Sequence, residues 1–123
     1  MSTRANEFSQ YCCELLATVG PCVAKRMFGG YGISTDGLTI AILADLGQGE
    51  KLWLKASPAT VSLFESAGCE RFTYLAKGKV IGMDYYSAPE EAMESVHEMA
   101  PWARLALDAA MAARSPKRRN AKS

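Results

Sequence analysis

Residues 35–55 read TDGLTIAILADLGQGEKLWLK and contain the pattern that decides the fold. Thr35-Asp36-Gly37 predicts a turn, and Leu38–Asp45 is apolar enough for a central strand of a sheet. A glycine-containing loop, 46–50, leads into a short strand, Lys51–Lys55. The preceding residues, 23–34, predict one strand interrupted by Gly29, Gly30 and Gly32. Together these segments predict a three-stranded antiparallel meander.

The flanking segments add helices and a second hairpin. An apolar stripe at intervals of three and four predicts a helix over 5–19, which Gly20-Pro21 ends. Ser57-Pro58 predicts the start of a helix that closes at Gly68. Strands 71–76 and 80–86 are joined by Lys77-Gly78-Lys79 and predict a hairpin.

A long helix is predicted to end the domain. Ser87 and Glu90 have the spacing of a capping box before the run that reaches residue 113. Pro101 cannot donate the helical hydrogen bond and clashes with the preceding turn, so a kink or break is expected near 98–100. The predicted order is therefore α-β(3)-α-β(2)-α, an α+β fold with an antiparallel sheet and a helical layer.

Composition and charge indicate one globular domain with a basic tail. The chain has 123 residues, of which 49% are hydrophobic and 22% charged. Residues 115–123 contain four cations and no acid; since the whole chain carries +1, residues 1–114 carry −3. We therefore expect a domain over 1–114 and a basic disordered tail over 115–123.

The N-terminal residues and the cysteines indicate a cytoplasmic protein. Residues 1–10 include Arg4 and Glu7 and lack the apolar run of a signal peptide, and no stretch is long and apolar enough for a membrane span. A reducing compartment then predicts free thiols at Cys12, Cys13, Cys22 and Cys69.

The chemistry-bearing residues do not form a catalytic or metal-binding pattern. The cysteines lack zinc-knuckle spacing, and the single histidine, His97, has no recognisable nucleophile partner in the sequence. Gly29-Gly30-Tyr31-Gly32 leads towards a strand, whereas a phosphate loop leads into a helix, so a backbone role is expected. We therefore expect no enzyme activity, no cofactor and no metal.

Basic residues offer two candidate contacts. Lys77 and Lys79 lie at a predicted turn. Further cations lie on or beside the predicted strands, at Lys25, Arg26, Lys51, Lys55 and Arg71. These side chains either form a patch for an acidic partner or keep the sheet soluble and its edges unpaired. In the tail, Lys117, Arg118 and Arg119 could contact nucleic acid directly or remain solvated.

Aromatic residues form the other candidate surface. The set comprises Tyr31, Trp53, Phe72, Tyr74, Tyr85 and Tyr86. Because interfaces are enriched in Tyr and Trp, Tyr31, Trp53, Tyr85 and Tyr86 are interpreted as a possible partner or homodimer surface, with core packing as the alternative for most of the set. A small-molecule or peptide binder would instead need a pocket lined by Tyr31, Trp53 and Tyr86. Direct nucleic-acid binding would need the cations to converge on one face.

Seven local strings, in order from about residue 8 to 112, resemble the N-terminal domain of the TfoX/Sxy competence regulators. They are Met27–Gly32, Leu52–Lys55, Ala67-Gly68 with Phe72 and Tyr74, Lys77–Lys79, Met83–Tyr86, Pro89-Glu90 and Trp102-Ala103. The resemblance implies a secretion-chaperone-like fold and a transcription-related regulatory role without known enzymatic activity. Full regulators of that family carry a second helical domain, whereas here residues 115–123 follow. We therefore expect a homodimeric regulatory protein-interaction module with an unknown protein partner and no membrane association.

Overall fold

The computed structural model describes residues 4–27, 30–45, 47 and 49–122, with side chains over 7–26, 30–45, 47 and 49–113. Three α-helices and two short 3-10 turns accompany six strands. The elements are α1 Arg4–Leu15, a 3-10 turn Ala17–Val19, β1 Val23–Met27, β2 Gly30–Thr35, β3 Leu38–Asp45, β4 Glu50–Lys55, α2 Val61–Ser66, β5 Arg71–Ala76, β6 Lys79–Ser87, a 3-10 turn Glu90–Glu94 and α3 Val96–Lys122.

The six strands form one antiparallel sheet in the order β1-β2-β3-β4-β6-β5. This confirms the predicted α+β class. The predicted count of five strands is wrong, because residues 23–34 form two paired strands rather than one interrupted strand. Met27 pairs with Gly30, so the chain reverses between them. Gly30 also lies so close to β3 that a Cβ atom there would be 2.0 Å from the Leu43 carbonyl oxygen.

Both predicted hairpin turns are confirmed. Asp36 and Gly37 have φ of 54° and 78°, and Lys77 and Gly78 have φ of 53° and 80°. Left-handed backbone at both central residues matches the twist of the flanking strands, which is why a glycine follows the first residue in each turn.

The described helices pack on one face of the sheet and enclose the main core. Leu15 and Leu16 from the first helical segment, Phe64 from α2 and Met99 from α3 are buried there against the sheet. The strands contribute buried apolar side chains at Ile33, Ile40, Ala41, Leu43, Leu52 and Leu54. Small residues on α3 let that helix approach β3 and β4 closely, and these are Ala103, Ala106 and Ala110. The helical layer predicted from the apolar stripes is therefore present.

The start of the last helix differs from the prediction. Ser87 accepts a hydrogen bond from the Glu70 N–H at 2.9 Å, so its hydroxyl serves the β5–β6 region and caps no helix. The cap is Ser95, whose hydroxyl accepts the Glu98 N–H at 3.1 Å. Ser95 is extended, with φ −163° and ψ 159°, and separates the short 3-10 turn from α3. The break in the C-terminal helical region thus precedes α3. Pro101 lies inside α3.

The predicted second helix is shorter than its pattern suggested. It begins at Val61 after a turn in which the Ser57 N–H donates to the Thr60 hydroxyl at 2.9 Å. Its end agrees with the prediction: Gly68 has φ 80°, and the Cys69 N–H reaches back to the Phe64 carbonyl at 3.0 Å. The left-handed glycine therefore closes the helix as expected.

The backbone of α3 is helical as far as Lys122. The domain boundary at residue 114 and the disordered tail expected over 115–123 stay predictions. The preceding residues 109–113 are mostly alanine, which has the highest helix propensity, and no glycine ends the helix there. The side chains of Lys117, Arg118 and Arg119 lie outside those the structure describes, so their contacts stay a sequence-level prediction. Across the described part of the chain, no helix combines the length and apolarity needed to cross a membrane.

Candidate functional site

The face of the sheet opposite the described helices, here called the open face, carries a small aromatic cluster. Its members are Ile42, Trp53, Phe72 and Tyr85, each at most 8% exposed. The Trp53 and Phe72 rings meet edge to face with centroids 5.0 Å apart. Trp53 Nε1 donates to the Ala44 carbonyl at 3.4 Å. Two of the four residues predicted as a partner surface, Trp53 and Tyr85, are therefore core residues of this cluster.

Tyr86 lies on the helix-covered face. Its ring stacks on Phe64 with centroids 5.5 Å apart, and its hydroxyl donates to Glu65 Oε2 at 3.3 Å. Burial of the ring and the Glu65 carboxylate raise the pKa of this phenol. Tyr86 therefore also packs within the protein.

Tyr31 lies apart from the other aromatic residues. It is half-buried and packs at the edge of the main core, where it lines a cavity of about 380 Å³ with Cys13 and Cys22. The pocket that a small-molecule binder would need, formed by Tyr31, Trp53 and Tyr86, is not assembled. Adjacent residues of a strand point to opposite faces, and this places Trp53 and Tyr86 on opposite sides of the sheet.

The β5–β6 hairpin, by contrast, exposes its apolar side chains. Leu75 and Val80 pair across the two strands and are 73% and 70% exposed. Tyr74 and Met83 are also exposed and lie on the other side of the same hairpin. β4 pairs with β6 only over Tyr85–Ser87, so the rest of the hairpin extends beyond the body of the sheet. This surface was not predicted from the sequence, although β5 and β6 alternate apolar and polar residues.

The cations predicted as a patch separate onto the two faces of the sheet. Lys25 lies opposite Gly32, which in turn lies opposite Ile42 of the open-face cluster, so Lys25 shares that face. Lys51 and Lys55 flank Trp53 on the same side of β4, since alternate residues share a face. Lys79 lies on the open face of β6 by the same alternation from Tyr85.

The remaining predicted cations lie elsewhere. Arg26 is opposite Tyr31 on the helix-covered face. Arg71 lies on that face too, where it forms a 3.6 Å ion pair with Asp84 and donates from Nε to the Met83 carbonyl at 3.1 Å. Lys77 occupies the hairpin turn. The lysines therefore converge partly on one face, and the arginines do not join them.

All four thiols are unpaired, and burial raises the pKa of each of them. The effect is largest for Cys12, which is fully buried and has a pKa of about 12, with the neighbouring Cys13 adding to the shift. Cys22 has a pKa of about 11 for the same reasons. These thiols stay protonated at neutral pH, whereas a nucleophilic cysteine needs its thiolate. Within the described residues, no group of three or more His, Cys, Asp and Glu side chains is arranged to hold a metal ion.

A groove of about 470 Å³ separates α1 from the ends of β4 and β6. Its lining carries four carboxylates and one cation, at Glu50, Glu70, Glu90, Glu91 and Lys51. The Cys69 thiol lies there, and burial and the Glu91 charge raise its pKa. The groove is thus acidic, and its thiol is not activated.

The sequence pattern of the TfoX N-terminal domain family matches residues 14–110. The chain belongs to this family. The match covers all six strands, the open face and the exposed hairpin, and it confirms the resemblance drawn from the seven local strings. Membership supports a competence-related regulatory module. No curated protein matches the chain.

Several of the local strings that resemble the family lie at hairpin turns or at a contact between helices. Met27 and Gly30 close the first hairpin, and Lys77-Gly78-Lys79 closes the last one. Trp102 contacts the Phe64 ring, with centroids 5.2 Å apart, and so joins α3 to α2. Three of the seven strings that suggest the family therefore form hairpin turns or helix packing contacts.

Proposed function

We propose that this protein is a non-enzymatic regulatory module that acts by binding a protein partner in a transcription-related process. The observation that carries the proposal is the exposed apolar β5–β6 hairpin. Leu75 and Val80 place two large apolar side chains in solvent on a segment that the rest of the fold does not need for its core. Contiguous exposed apolar side chains are typical of protein interaction sites.

The edge of the sheet supports the same proposal. β5 is the last strand in the sheet order, so the outer side of its backbone has no strand partner among the described residues. Residues 72–76 contain no proline, lysine or other charged side chain that would discourage pairing. A partner strand can therefore add to β5 through main-chain hydrogen bonds, while Leu75 and Tyr74 provide side-chain contacts on the two faces.

The regulatory character of the proposal rests on family membership, since the family is one of competence-related regulators. The partner belongs to the class of proteins that present an apolar strand or groove, which includes a second copy of this chain. Homodimerisation through this hairpin is therefore one form that the proposal takes. The raised pKa values of Cys12 and Cys22 keep these two thiols from acting as nucleophiles at neutral pH.

The test compares partner capture by the wild-type chain and by Leu75→Lys/Val80→Lys, in lysate of the source cells treated with nuclease. Leu63→Lys is the matched control, because Leu63 is an apolar residue that is 48% exposed and lies on α2, outside the hairpin. We expect a defined protein to be retained by the wild type and the control and lost from the hairpin variant. Sedimentation of the purified chain distinguishes a second copy from a different partner. Equal capture by all three proteins would remove the hairpin as the contact surface.

A further inference from the structure

The open face of the sheet is electropositive although the domain is net negative. Lys25, Lys51, Lys55 and Lys79 all lie on this face by strand register. The acidic residues of β3, β4 and β6 lie on the other face, at Asp45, Glu50 and Asp84. Strand alternation thus separates the charges that the sequence interleaves.

Most of these lysines are not neutralised by a carboxylate. Lys51 forms a 3.5 Å ion pair with Glu70. Among the described residues, Lys25, Lys55 and Lys79 have no carboxylate within ion-pair distance. Three ammonium groups on this face are therefore available to an external anion.

The aromatic cluster holds two of the ammonium groups over its rings. Lys51 Nζ lies 5.9 Å from the Trp53 ring centroid, and Lys55 Nζ lies 4.9 Å from that of Tyr85. A ring face attracts a cation without cancelling its charge. The buried cluster therefore restricts the positions of the Lys51 and Lys55 side chains and leaves their charge directed outward.

The dimensions of the face favour a flexible polyanion over a duplex groove. From β1 to β6 there are four steps in the sheet order, or about 19 Å at the usual strand spacing. Lys51 and Lys55 are separated by about 13 Å along β4. A surface this broad cannot enter the major groove, which is about 12 Å wide and admits a helix or a two-stranded ribbon. A single strand can lie across it with its phosphates near the lysines.

One exposed ring adds a contact for bases. Tyr74 shares the open face with Phe72, two residues earlier on β5, and is 43% exposed. Stacking of a base on an exposed aromatic ring is the usual sequence-independent contact in single-strand binding. The other rings of the cluster are too buried to stack on a ligand.

We propose that the open face binds single-stranded nucleic acid, with Lys25, Lys55 and Lys79 contacting phosphates and Tyr74 stacking on a base. This site is separate from the apolar pair Leu75 and Val80, which lies on the opposite side of the hairpin. The two proposed contacts share Tyr74, whereas the open-face lysines take part in nucleic-acid binding alone.

The experiment measures anisotropy of a labelled 20-nucleotide oligothymidine against the full chain over a range of NaCl concentrations. Lys25→Gln/Lys55→Gln removes two open-face charges. Arg26→Gln/Arg104→Gln is the matched control, because Arg26 follows Lys25 on the same strand but faces the other way and Arg104 lies exposed on α3. We expect about tenfold weaker binding at low salt for the lysine variant and a salt slope reduced by about 1.4, with little change in the control.

A second pair tests the aromatic contact. Tyr74→Ala should weaken binding severalfold without changing the salt slope, since it removes stacking and no charge. Leu75→Ala, on the other face of the same strand, should leave binding unchanged. Thermal unfolding of each variant checks that any loss of oligonucleotide binding does not result from unfolding.

Four results would overturn the proposal. One is the absence of wild-type binding at about 50 mM salt, where phosphate contacts are strong. Another is an equal loss of affinity in the lysine variant and the arginine control. A third is loss of binding in Lys117→Gln/Arg118→Gln/Arg119→Gln, which would place the contact in the C-terminal segment. The last is displacement of the oligonucleotide by phosphatidylserine vesicles in a lysine-dependent manner, which would assign the face to lipid headgroups.

Discussion

The Phe72 and Trp53 rings meet in a T-shaped, edge-to-face contact, with centroids 5.0 Å apart and ring planes at 81°. These residues belong to β5 and β4, which are not neighbours in the sheet because β6 lies between them. The contact therefore crosses β6 and fixes the base of the projecting hairpin to the body of the sheet. It connects the core of the open face to the surface proposed for the partner.

Phe72→Ala should destabilise the fold strongly. Removing a buried ring loses its transfer free energy and leaves a cavity, which together cost about 3–5 kcal/mol in protein cores. Tyr74→Ala is the matched control: it lies two residues along the same strand and face but is exposed, so about 0.5 kcal/mol is expected. Urea denaturation measures both values. Similar losses for the two variants would show that Phe72 does not anchor the hairpin.

Gly30→Ala should be poorly tolerated. A methyl group at this position would lie 2.0 Å from the Leu43 carbonyl oxygen, which belongs to the backbone of the central strand and cannot move aside alone. Overpacking of this kind costs about 1–3 kcal/mol or more. Gly37→Asn provides the comparison, because Gly37 has φ 78° and open space around it, and asparagine accepts left-handed backbone. A melting temperature for Gly30→Ala as high as that of Gly37→Asn would contradict the close strand approach.

Stability should fall as the pH rises above about 8.5, the ordinary range of an unfolded cysteine. Burial raises the pKa of Cys12 to about 12 in the folded chain, so the folded thiol keeps its proton while the unfolded one releases it. The unfolded state then binds fewer protons, and the free energy of unfolding decreases by about 1.4 kcal/mol per pH unit for this thiol. At lower pH both states are protonated and the thiol causes no pH dependence.

Cys12→Ala isolates this effect. The substitution lowers the free energy of unfolding by a constant amount at every pH. Between pH 8.5 and 10, however, the free energy of unfolding should decline less steeply than in the wild type, and the difference in slope should approach about 1.4 kcal/mol per pH unit. Cys22, with a pKa of about 11, contributes in the same direction in both proteins and so cancels in the comparison. Urea titrations at several pH values give the two slopes. Parallel slopes would mean that Cys12 titrates normally in the fold.

Ser95→Ala should cost about 1 kcal/mol, the usual cost of losing an N-cap side chain. Its hydroxyl accepts the Glu98 N–H at the start of α3, where the first N–H groups lack helical partners. Ser62→Ala is the control, since Ser62 is exposed on α2 and makes no described hydrogen bond. Chemical denaturation measures the free energy of unfolding of both variants. If the two are equally stable, the cap does not anchor α3.

Much of the architecture could be predicted from local patterns. The turn Asp36-Gly37 and the turn Lys77-Gly78 specify hairpins, because left-handed backbone is required there and glycine adopts it without strain. The apolar run of β3 indicated a central strand, and Gly68 indicated the end of α2. The strand count was wrong because the glycines of 29–32 were interpreted as an interruption, whereas the chain reverses between Met27 and Gly30.

The predicted start of the last helix was wrong for a related reason. Ser87-Glu90 and Ser95-Glu98 have the same spacing, and spacing alone cannot choose between two capping boxes. The choice depends on which hydroxyl another part of the chain uses. Ser87 is used by the backbone of Glu70, a residue seventeen positions earlier that only the tertiary fold brings near.

Local sequence patterns were enough to predict the class of fold, the family and the residue types at the candidate surfaces. Turn chemistry and apolar periodicity are local, and local backbone preferences act before any tertiary contact exists. What the tertiary structure decided was which of those residues face solvent. Trp53, Tyr85 and Tyr86 became buried while Leu75 and Val80 became exposed, because burial depends on which strands and helices cover a side chain. Strand register likewise placed the lysines on one face and the strand carboxylates on the other, a separation that depends on pairing between distant segments.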